Sequence, residues 1–563
     1  MIWQKGIDYP EWMDSISLDT LKKGYLIGDE SPVDAMHDIA AKVGEYMDST
    51  EVETKLYEYL YKGWICPSTP VWSNFRHKRA ASISCFSSYT DDSINGLFFT
   101  LSEVAKMTQL GGGTSVYWGD VRARGANISS GGKTNGTLSF MEIFDTMINK
   151  VSQGGVRRGS CAMYLPIDHG DIEEFLTIKD MDSPIKNLFY GVCIDDKFVN
   201  KLYEGDSYSW GIWAKLLKSR SEKGLPYIIF TDNVNNHKST PDWYGYKQNN
   251  PDYFIKNSNL CSEIMLPVNE EESFVCCLSS LNLAKYDEWK DTDVVQHAVY
   301  LLDAVMDDFI YKTRSEKLMK RAHLFAKRHR ALALGVLGWH SYLQSRNIPF
   351  ASLSAKFINI KIFKQIREQA EEATLHLGSI FEPCKIGDGQ RRNSTLLAVA
   401  PTTSNSIIQG GVSQGIEPIN SNYFVQKSAK GDFVRRNIYL EKVLESLGQN
   451  TEKVWNSIRD NEGSILHLDF IEDKEVFKTF KEINQYAILE QAADRQEFID
   501  QGQSLNLFIP ADASAKDISK LHLYAHKKGI KGLYYQRGET VNSEGTVKAV
   551  VNTLDNSCIY CEG

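Results

Sequence analysis

The sequence predicts a mixed α/β fold, and three observations carry the prediction. A capped apolar stripe near the start has helical spacing. Short apolar runs at Val275-Cys276-Cys277-Leu278, at 397–400 and at Leu533-Tyr534-Tyr535-Gln536-Arg537 read as strands. Between them, residues 291–340 and 426–496 carry largely helical patterns.

At 563 residues and 63.8 kDa the chain exceeds one ordinary domain and can bury a large core. Its 42% apolar, 11% aromatic and 24% charged residues are those of a soluble globular protein. A net charge of −9 without a long basic run argues against a nucleic-acid groove or an anionic membrane surface. The best apolar run, 331–339, is too short to span a bilayer. Residues 1–11 include Trp3, Lys5 and Asp8 but no apolar h-region, so no signal peptide is expected. The ten cysteines are scattered rather than dense, which suits a reducing cytoplasm and leaves thiols available for chemistry.

Taken in order, the first sixty or so residues read as helical. Ser31-Pro32-Val33-Asp34 has the form of an N-cap, with proline at the first helical position and an acid at the third. Met36, Ile39, Ala40, Val43 and Met47 follow as one core stripe, and a second amphipathic segment covers 51–62. Ser68-Thr69-Pro70 opens the next region, followed by Ser82-Ile83-Ser84-Cys85-Phe86. Small hydroxyls beside a cysteine suit phosphate oxygens next to a redox sulfur, or plain loop and strand. Asp91-Asp92-Ser93-Ile94 starts a helix that runs toward Lys106. Gly111-Gly112-Gly113 and Gly154-Gly155 form two glycine loops, the second leading into Val156-Arg157-Arg158-Gly159. Between these loops, Val121-Arg122-Ala123-Arg124 offers guanidinium groups to a phosphate, or to solvent. After the strand at 397–400, Pro401-Thr402-Thr403-Ser404-Asn405-Ser406 is a hydroxyl-rich turn before a helix. Free backbone N–H groups and hydroxyls converge there, either on a phosphate or simply as a helix cap.

The stretch with the densest chemistry is Asn259-Leu260-Cys261-Ser262-Glu263. In an extended segment, Asn259, Cys261 and Glu263 point to one face and present an amide, a thiol and a base to one ligand. The same pattern fits a buried cysteine in an ordinary strand. The tail beyond Gly538 is polar and closes with Cys558-Ile559-Tyr560-Cys561. That spacing makes half a zinc site or a dithiol couple. With no second Cys or His pair near it, the redox reading is preferred, and the chain is expected to hold no metal.

These motifs, in this order from Cys66 to the C-terminus, resemble the large catalytic subunit of the ribonucleotide reductases. The resemblance implies a ten-stranded α/β barrel of two five-stranded halves packed antiparallel, with the Cys261 loop threaded through its centre. It implies a helical region at 1–64 without an ATP-cone, a catalytic barrel at 65–540 and a flexible redox tail at 541–563. Cys261 corresponds to the thiyl radical that removes the ribose 3′-hydrogen. Glu263 corresponds to the base for the 3′-hydroxyl, and Asn259 to a contact with the ribose hydroxyls. Cys85 and Cys276 match the reducing pair, although Cys277 stands beside Cys276 where relatives usually carry asparagine or threonine. Cys558 and Cys561 match the carrier recharged by thioredoxin or glutaredoxin.

The same resemblance makes Thr402, Thr403, Ser404 and Asn405 the substrate diphosphate loop, with Thr69 and Ser84 as accessory contacts. It makes Asp92, Ser93, Ile94 and Arg122 a site for a dNTP or ATP effector at a homodimer interface. Residues 153–159 become the loop that reports effector identity to the substrate base. Tyr534 and Tyr535 match the stacked pair that passes a radical to Cys261 in class I enzymes. There the radical comes from a small subunit holding iron or manganese. The expected activity is reduction of ribonucleoside diphosphates in the cytoplasm, that of a host if the chain is phage-encoded. Two rivals are an adenosylcobalamin-dependent reductase and an inactive nucleotide-binding homologue. The chemistry explains the parts. Loss of water from C2′ needs a radical at C3′, a base, and two further thiols as reductant, and the buried disulfide that results needs a mobile dithiol.

Overall fold

Ser31 caps the helix Pro32–Met47 reciprocally, its hydroxyl accepting from the Asp34 N–H while the Asp34 carboxylate accepts from the Ser31 N–H, both at 3.1 Å. The stripe Val33, Met36, Ile39, Ala40 and Val43 is buried, as the periodicity predicts. It packs on the helix Thr50–Tyr61, and both lie against the long helix Val294–Thr313. This computed structural model describes residues 8–77, 81–151, 159–428, 431–538, 540–541 and 547–548.

The strands β1 (Ile65–Pro67), β2 (Cys85–Tyr89), β3 (Gly113–Tyr117), β4 (Cys161–Pro166), β5 (Phe189–Ile194), β6 (Tyr227–Phe230), β7 (Phe274–Asn282) and β8 (Leu332–Leu337) organise the rest. Strands β2 to β6 pair in parallel, neighbour to neighbour, as one five-stranded half. The second half begins with β7, which is parallel to β8. It continues through parallel bridges from Leu334 to Leu397 and from Val399 to Gln503. Its last member is the segment 532–538, parallel to Leu507–Ile509 and tied by the Tyr534 N–H to the Leu505 carbonyl at 2.8 Å. The halves join antiparallel at β2/β7 and at β6 with Gly532–Leu533, which closes a ten-stranded ring. β1 pairs antiparallel with the far end of β7. Strands β4, β5, β6 and β8 are buried along almost their whole length and read as nearly continuous apolar runs, whereas β2 and β3 carry serines and a threonine.

The ring is the expected barrel, and three local expectations need correction. The helical pattern over 291–340 ends at His329, and Leu332–Leu337 is a strand, β8. Its run Leu332-Ala333-Leu334-Gly335-Val336-Leu337 is wholly buried, so no alternation separates strand from helix. Val275-Cys276-Cys277-Leu278, expected to form the end of an apolar strand, lies instead at the start of β7. The segment 426–496 is not helical from its beginning. It opens in a hairpin, Tyr423–Ser428 with Gly431–Arg436, before the helices Ile438–Ser446, Glu452–Asp460 and Gln485–Gln496. One large core runs from Met13 to Tyr534, and a smaller one joins Leu440 to Phe477. Among the described residues no helix is long and apolar enough to cross a membrane.

Candidate active site

The residues 257–264 thread the barrel, and hydroxyls from three successive strands of one half fasten them. Ser87 on β2 accepts from the Asn257 amide at 2.8 Å. Ser115 on β3 donates to the Ser258 carbonyl at 2.7 Å, and Tyr164 on β4 donates to the Asn259 carbonyl, also at 2.7 Å. The other half answers from the strand carrying 501–504. The Gly502 N–H donates to the Glu263 carbonyl at 2.7 Å, and the Gln501 side chain accepts from the Met265 N–H at 3.2 Å. Ser504 Oγ lies 2.6 Å from the Cys261 carbonyl and 3.1 Å from Glu263 Oε2. Gly502 allows this approach, because a Cβ there would stand 2.7 Å from Met265 Cε and 3.1 Å from the Glu263 carbonyl. Loop and barrel are thus fixed from both sides.

At the tip the backbone turns instead of running extended, which corrects the expectation of a one-faced row. Ser262 has φ 65°, and its N–H donates back to the Asn259 carbonyl at 3.3 Å. The turn still brings Asn259 and Glu263 together, by curvature rather than by strand alternation. Asn259 Nδ2 donates to Glu263 Oε1 at 2.9 Å and to Cys85 Sγ at 3.3 Å. Asn259 Oδ1 accepts from the N–H groups of Glu263 and Ile264, each at 3.1 Å. One amide therefore links the carboxylate, the loop backbone and a neighbouring thiol, all buried.

Cys85 and Cys276 face each other as register partners across the antiparallel β2/β7 junction. Side chains directly opposite in such a pair lie on the same face. Cys276 Sγ points inward, near Gln501 Nε2 at 3.8 Å. Cys277 turns outward, and its thiol donates to the Leu302 carbonyl of the covering helix at 3.3 Å. Burial pushes the Cys276 thiol well above its ordinary value, and that of Cys277 upward as well. The eight described cysteines are all buried. Among the described residues, no group of three or more His, Cys, Asp or Glu is arranged to hold a metal ion.

Thr402 to Asn405 form a buried turn into the short helix Thr403–Ile408. Thr402 has φ 58°, and its hydroxyl accepts from the Gly415 N–H at 2.8 Å. Asn405 Oδ1 is buried with no hydrogen-bond partner among the described residues. The Cys66 thiol in the middle of β1 approaches the Asn405 carbonyl at 3.9 Å, so the Thr69 segment just beyond β1 lies beside this turn. Thr69 meets the Tyr25 hydroxyl at 3.4 Å, and Ser84 sits beside the Cys85 sulfur at 3.7 Å. Asp92, Ser93, Ile94 and Arg122 gather elsewhere, outside the ring. Arg122 pairs with Asp92, its N–H donating to Asp92 Oδ1 at 3.2 Å. Ser93 caps the helix Ile94–Gln109, and Ile94 is exposed.

The rings of Tyr534 and Tyr535 lie 4.3 Å apart at 54°. A third tyrosine absent from the sequence reading, Tyr227 at the head of β6, touches both, at 4.8 Å and 5.2 Å. The pair sits one strand from the loop, since Tyr534 bonds to Leu505 and the adjacent Ser504 bonds to Cys261. Arg220 holds the Tyr534 carbonyl at 3.1 Å from the helix Ser207–Lys223. Sequence reasoning also missed Tyr164, Gln501 and Ser504. The only signal for the last two is a polar run, Gln501-Gly502-Gln503-Ser504, in what proves to be a buried strand. Cys558, Cys561 and residues 153–158 lie outside the described residues.

Comparison with known proteins matches this architecture from end to end. The family description "Ribonucleotide reductase, barrel domain" matches residues 83–211, 209–386 and 385–536, and "Ribonucleotide reductase, all-alpha domain" matches 12–80. The ribonucleoside-diphosphate reductase large subunit of Invertebrate iridescent virus 3 is 33% identical over 98% of this chain and 98% of its own. A putative ribonucleoside-diphosphate reductase large subunit of Frog virus 3 is 37% identical over 86% of this chain and 88% of its own. Among solved structures, the class Id ribonucleotide reductase alpha subunit of Actinobacillus ureae superposes with a TM-score of 0.88 at 43% identity, covering 94% of this chain and 98% of that one. With a closed ring of two antiparallel halves, a loop through its middle and matches across nearly the whole length, the chain belongs to the ribonucleotide reductase large-subunit family.

Proposed function

We propose that the chain reduces ribonucleoside diphosphates to 2′-deoxyribonucleotides by thiyl-radical chemistry at Cys261. The observation that carries this reading is the buried cluster in which Asn259 joins Glu263 to Cys85, with Cys276 in register across the β2/β7 junction. A Cys261 sulfur radical takes the hydrogen from C3′, breaking C–H and forming S–H, while Glu263 receives the 3′-hydroxyl proton. The 2′-oxygen then leaves as water, taking a proton from one thiol of the Cys85/Cys276 pair. That pair gives up two electrons and two protons in all, one proton to the water and one with the new C2′–H bond, and ends as a disulfide. The Cys261 S–H then returns its hydrogen to C3′ and re-forms the sulfur radical, while Glu263 returns its proton to the 3′-oxygen. Because burial keeps Cys276 a thiol rather than a thiolate, it delivers its electron together with a proton. Cys558 and Cys561 act as the carrier that restores the pair, itself reduced by thioredoxin or glutaredoxin.

Thr402, Thr403, Ser404 and Asn405 bind the substrate diphosphate, with Thr69 and Ser84 nearby. The orphaned Asn405 oxygen and the buried hydroxyls support a polar ligand there. Asp92, Ser93, Ile94 and Arg122 bind the effector. Ile94, Phe98, Phe99 and Ile143 expose an apolar patch beside them on the helices Ile94–Gln109 and Thr137–Val151, which supports a homodimer across this face. Tyr534 and Tyr535 pass the radical inward from a small subunit with an iron or manganese centre, as in class I enzymes. The touching, tilted rings one strand from Cys261, and the class named for the Actinobacillus relative, favour this over adenosylcobalamin.

The test is deoxynucleotide formation from a nucleoside diphosphate, with the cognate small subunit loaded with iron or manganese and, in parallel, with adenosylcobalamin alone. Turnover is expected only in the first arm. Turnover with adenosylcobalamin alone, or none in either arm, overturns the reading.

A further inference from the structure

We infer that Ser504 sets the proton affinity of Glu263 by offering it a hydrogen-bond acceptor, a positioning role that rests on Glu263 being the base for the 3′-hydroxyl. Ser504 sits on a barrel strand, its N–H bonded to the Val399 carbonyl at 2.9 Å, and it is buried. Its Oγ makes two contacts, 2.6 Å to the Cys261 carbonyl and 3.1 Å to Glu263 Oε2. A serine hydroxyl has one proton and two lone pairs, whereas a carbonyl has no proton to give. A 2.6 Å oxygen–oxygen approach to a carbonyl is a short hydrogen bond only if Ser504 donates. Its single proton is therefore committed to Cys261, and a lone pair faces Glu263.

The two oxygens of Glu263 consequently meet opposite partners. Oε1 accepts from Asn259 Nδ2 at 2.9 Å, whereas Oε2 faces an acceptor at 3.1 Å. An ionised carboxylate gains nothing from that second contact. A protonated one donates into it. When the substrate 3′-O–H breaks, its proton goes to Oε2, and the new O–H donates to Ser504 with no change in oxidation state. The chain Glu263–Ser504–Cys261 carbonyl then polarises in one direction, which strengthens the hold on the peptide that carries the reacting sulfur.

Titratable groups that bear on Glu263 include Cys261 on its own loop, Cys276 on β7, Tyr164 on β4, and Cys85 on β2 through the shared Asn259 amide. Burial holds the Cys276 thiol and the Tyr164 phenol in their neutral forms, so neither sets a fixed charge against the carboxylate.

The experiment uses the full chain with its small subunit and reductant. It compares wild type, Ser504→Ala, Ser504→Thr and Ser504→Cys in single-turnover rate and in kcat/KM from about pH 5.5 to 8.5, with thermal melting as the check on folding. Removing the acceptor disfavours protonated Glu263, so the carboxylate stays ionised to lower pH and becomes a weaker base. Ser504→Ala should shift the acid limb down by about one pH unit and slow the single turnover roughly tenfold, with KM little changed. Ser504→Thr, which keeps the hydroxyl, should restore both. If Ser504→Ala does not fold, Ser504→Cys carries the test. Its poorer acceptor must put the acid limb below that of Ser504→Thr, and coincident limbs overturn the inference. An acid limb that stays in place or rises in Ser504→Ala also overturns it, a rise meaning that Ser504 donates to the carboxylate. A wild-type chain that reduces no nucleoside diphosphate overturns the reading of the site, and this inference with it.

Discussion

Replacing Cys276 and Cys277 one at a time by serine separates two adjacent thiols that differ only in the face they occupy. Directly opposed residues of an antiparallel pair have Cα atoms about 4.5–5.5 Å apart. Both values lie inside the span of about 4.4–6.8 Å that a disulfide bridges. Cys276 is the register partner of Cys85 and so can form the bond without backbone movement. Cys277 points to the other face, with its sulfur on the Leu302 carbonyl at 3.3 Å, and cannot reach Cys85 unless β7 turns over. Cys276→Ser therefore removes one of the two proposed reducing thiols and should abolish deoxynucleotide formation, even in a single turnover. Cys277→Ser keeps a donor for Leu302 and changes little volume, so its cost is about 1 kcal/mol of stability, with a rate within roughly twofold of wild type. The assay is one turnover of pre-reduced protein without external reductant, followed by peptide mapping of the disulfide. A Cys85–Cys277 bond, or a Cys277→Ser protein as inactive as Cys276→Ser, would refute the assignment made from register.

Other outcomes follow from the same structure. Tyr534→Phe and Tyr535→Phe should each eliminate activity while melting near the wild-type temperature, because each loses one oxygen and the ability to lose a proton with an electron; full activity in either excludes a tyrosine relay. Cys558→Ser with Cys561→Ser should stop turnover driven by thioredoxin yet leave one turnover from pre-reduced Cys85 and Cys276, and small dithiols should restore part of the rest; unchanged thioredoxin-driven turnover excludes the tail as carrier. Burial lowers His340 to about 3, and burial with the Arg220 guanidinium does the same to His522. Their folded values lie below the unfolded ones, so the stability they contribute is present above about pH 6.5 and lost as pH falls. The loss is about 1.4 kcal/mol each by pH 5.5. Chemical denaturation at pH 7.5 and 5.5 should show that drop, and equal stabilities would contradict it.

Much of the architecture is legible in the sequence, for identifiable reasons. The cap at Ser31 is local chemistry and forms as read. The run at 397–400 joins the ring, and the tyrosine pair lies within the barrel segment 532–538 rather than at a strand end, because short apolar runs bounded by polar residues locate a strand better than they fix its limits. The Asn259–Cys261–Glu263 spacing points to a site although the local geometry differs. A left-handed Ser262, rather than an extended chain, brings the amide to the carboxylate. Strand β8 hides because both its faces are buried, which erases the period on which recognition depends. The supports of the loop, Ser115, Tyr164 and Ser504, lie 143, 95 and 243 residues from the atoms they hold. No pattern of neighbours along the chain records such pairings. They exist only once the ring closes.

The central claim is that the Cys261 sulfur performs the hydrogen abstraction. Its most direct test is Cys261→Ser, assayed with small subunit, reductant and effector for deoxynucleotide formation, alongside substrate binding by equilibrium dialysis. A serine O–H bond is far stronger than a thiol S–H bond, so no usable radical forms at that atom. The account predicts no detectable product and a substrate Kd within about twofold of wild type, since Cys261 makes none of the proposed diphosphate contacts. Sustained multiple turnover by Cys261→Ser would contradict it.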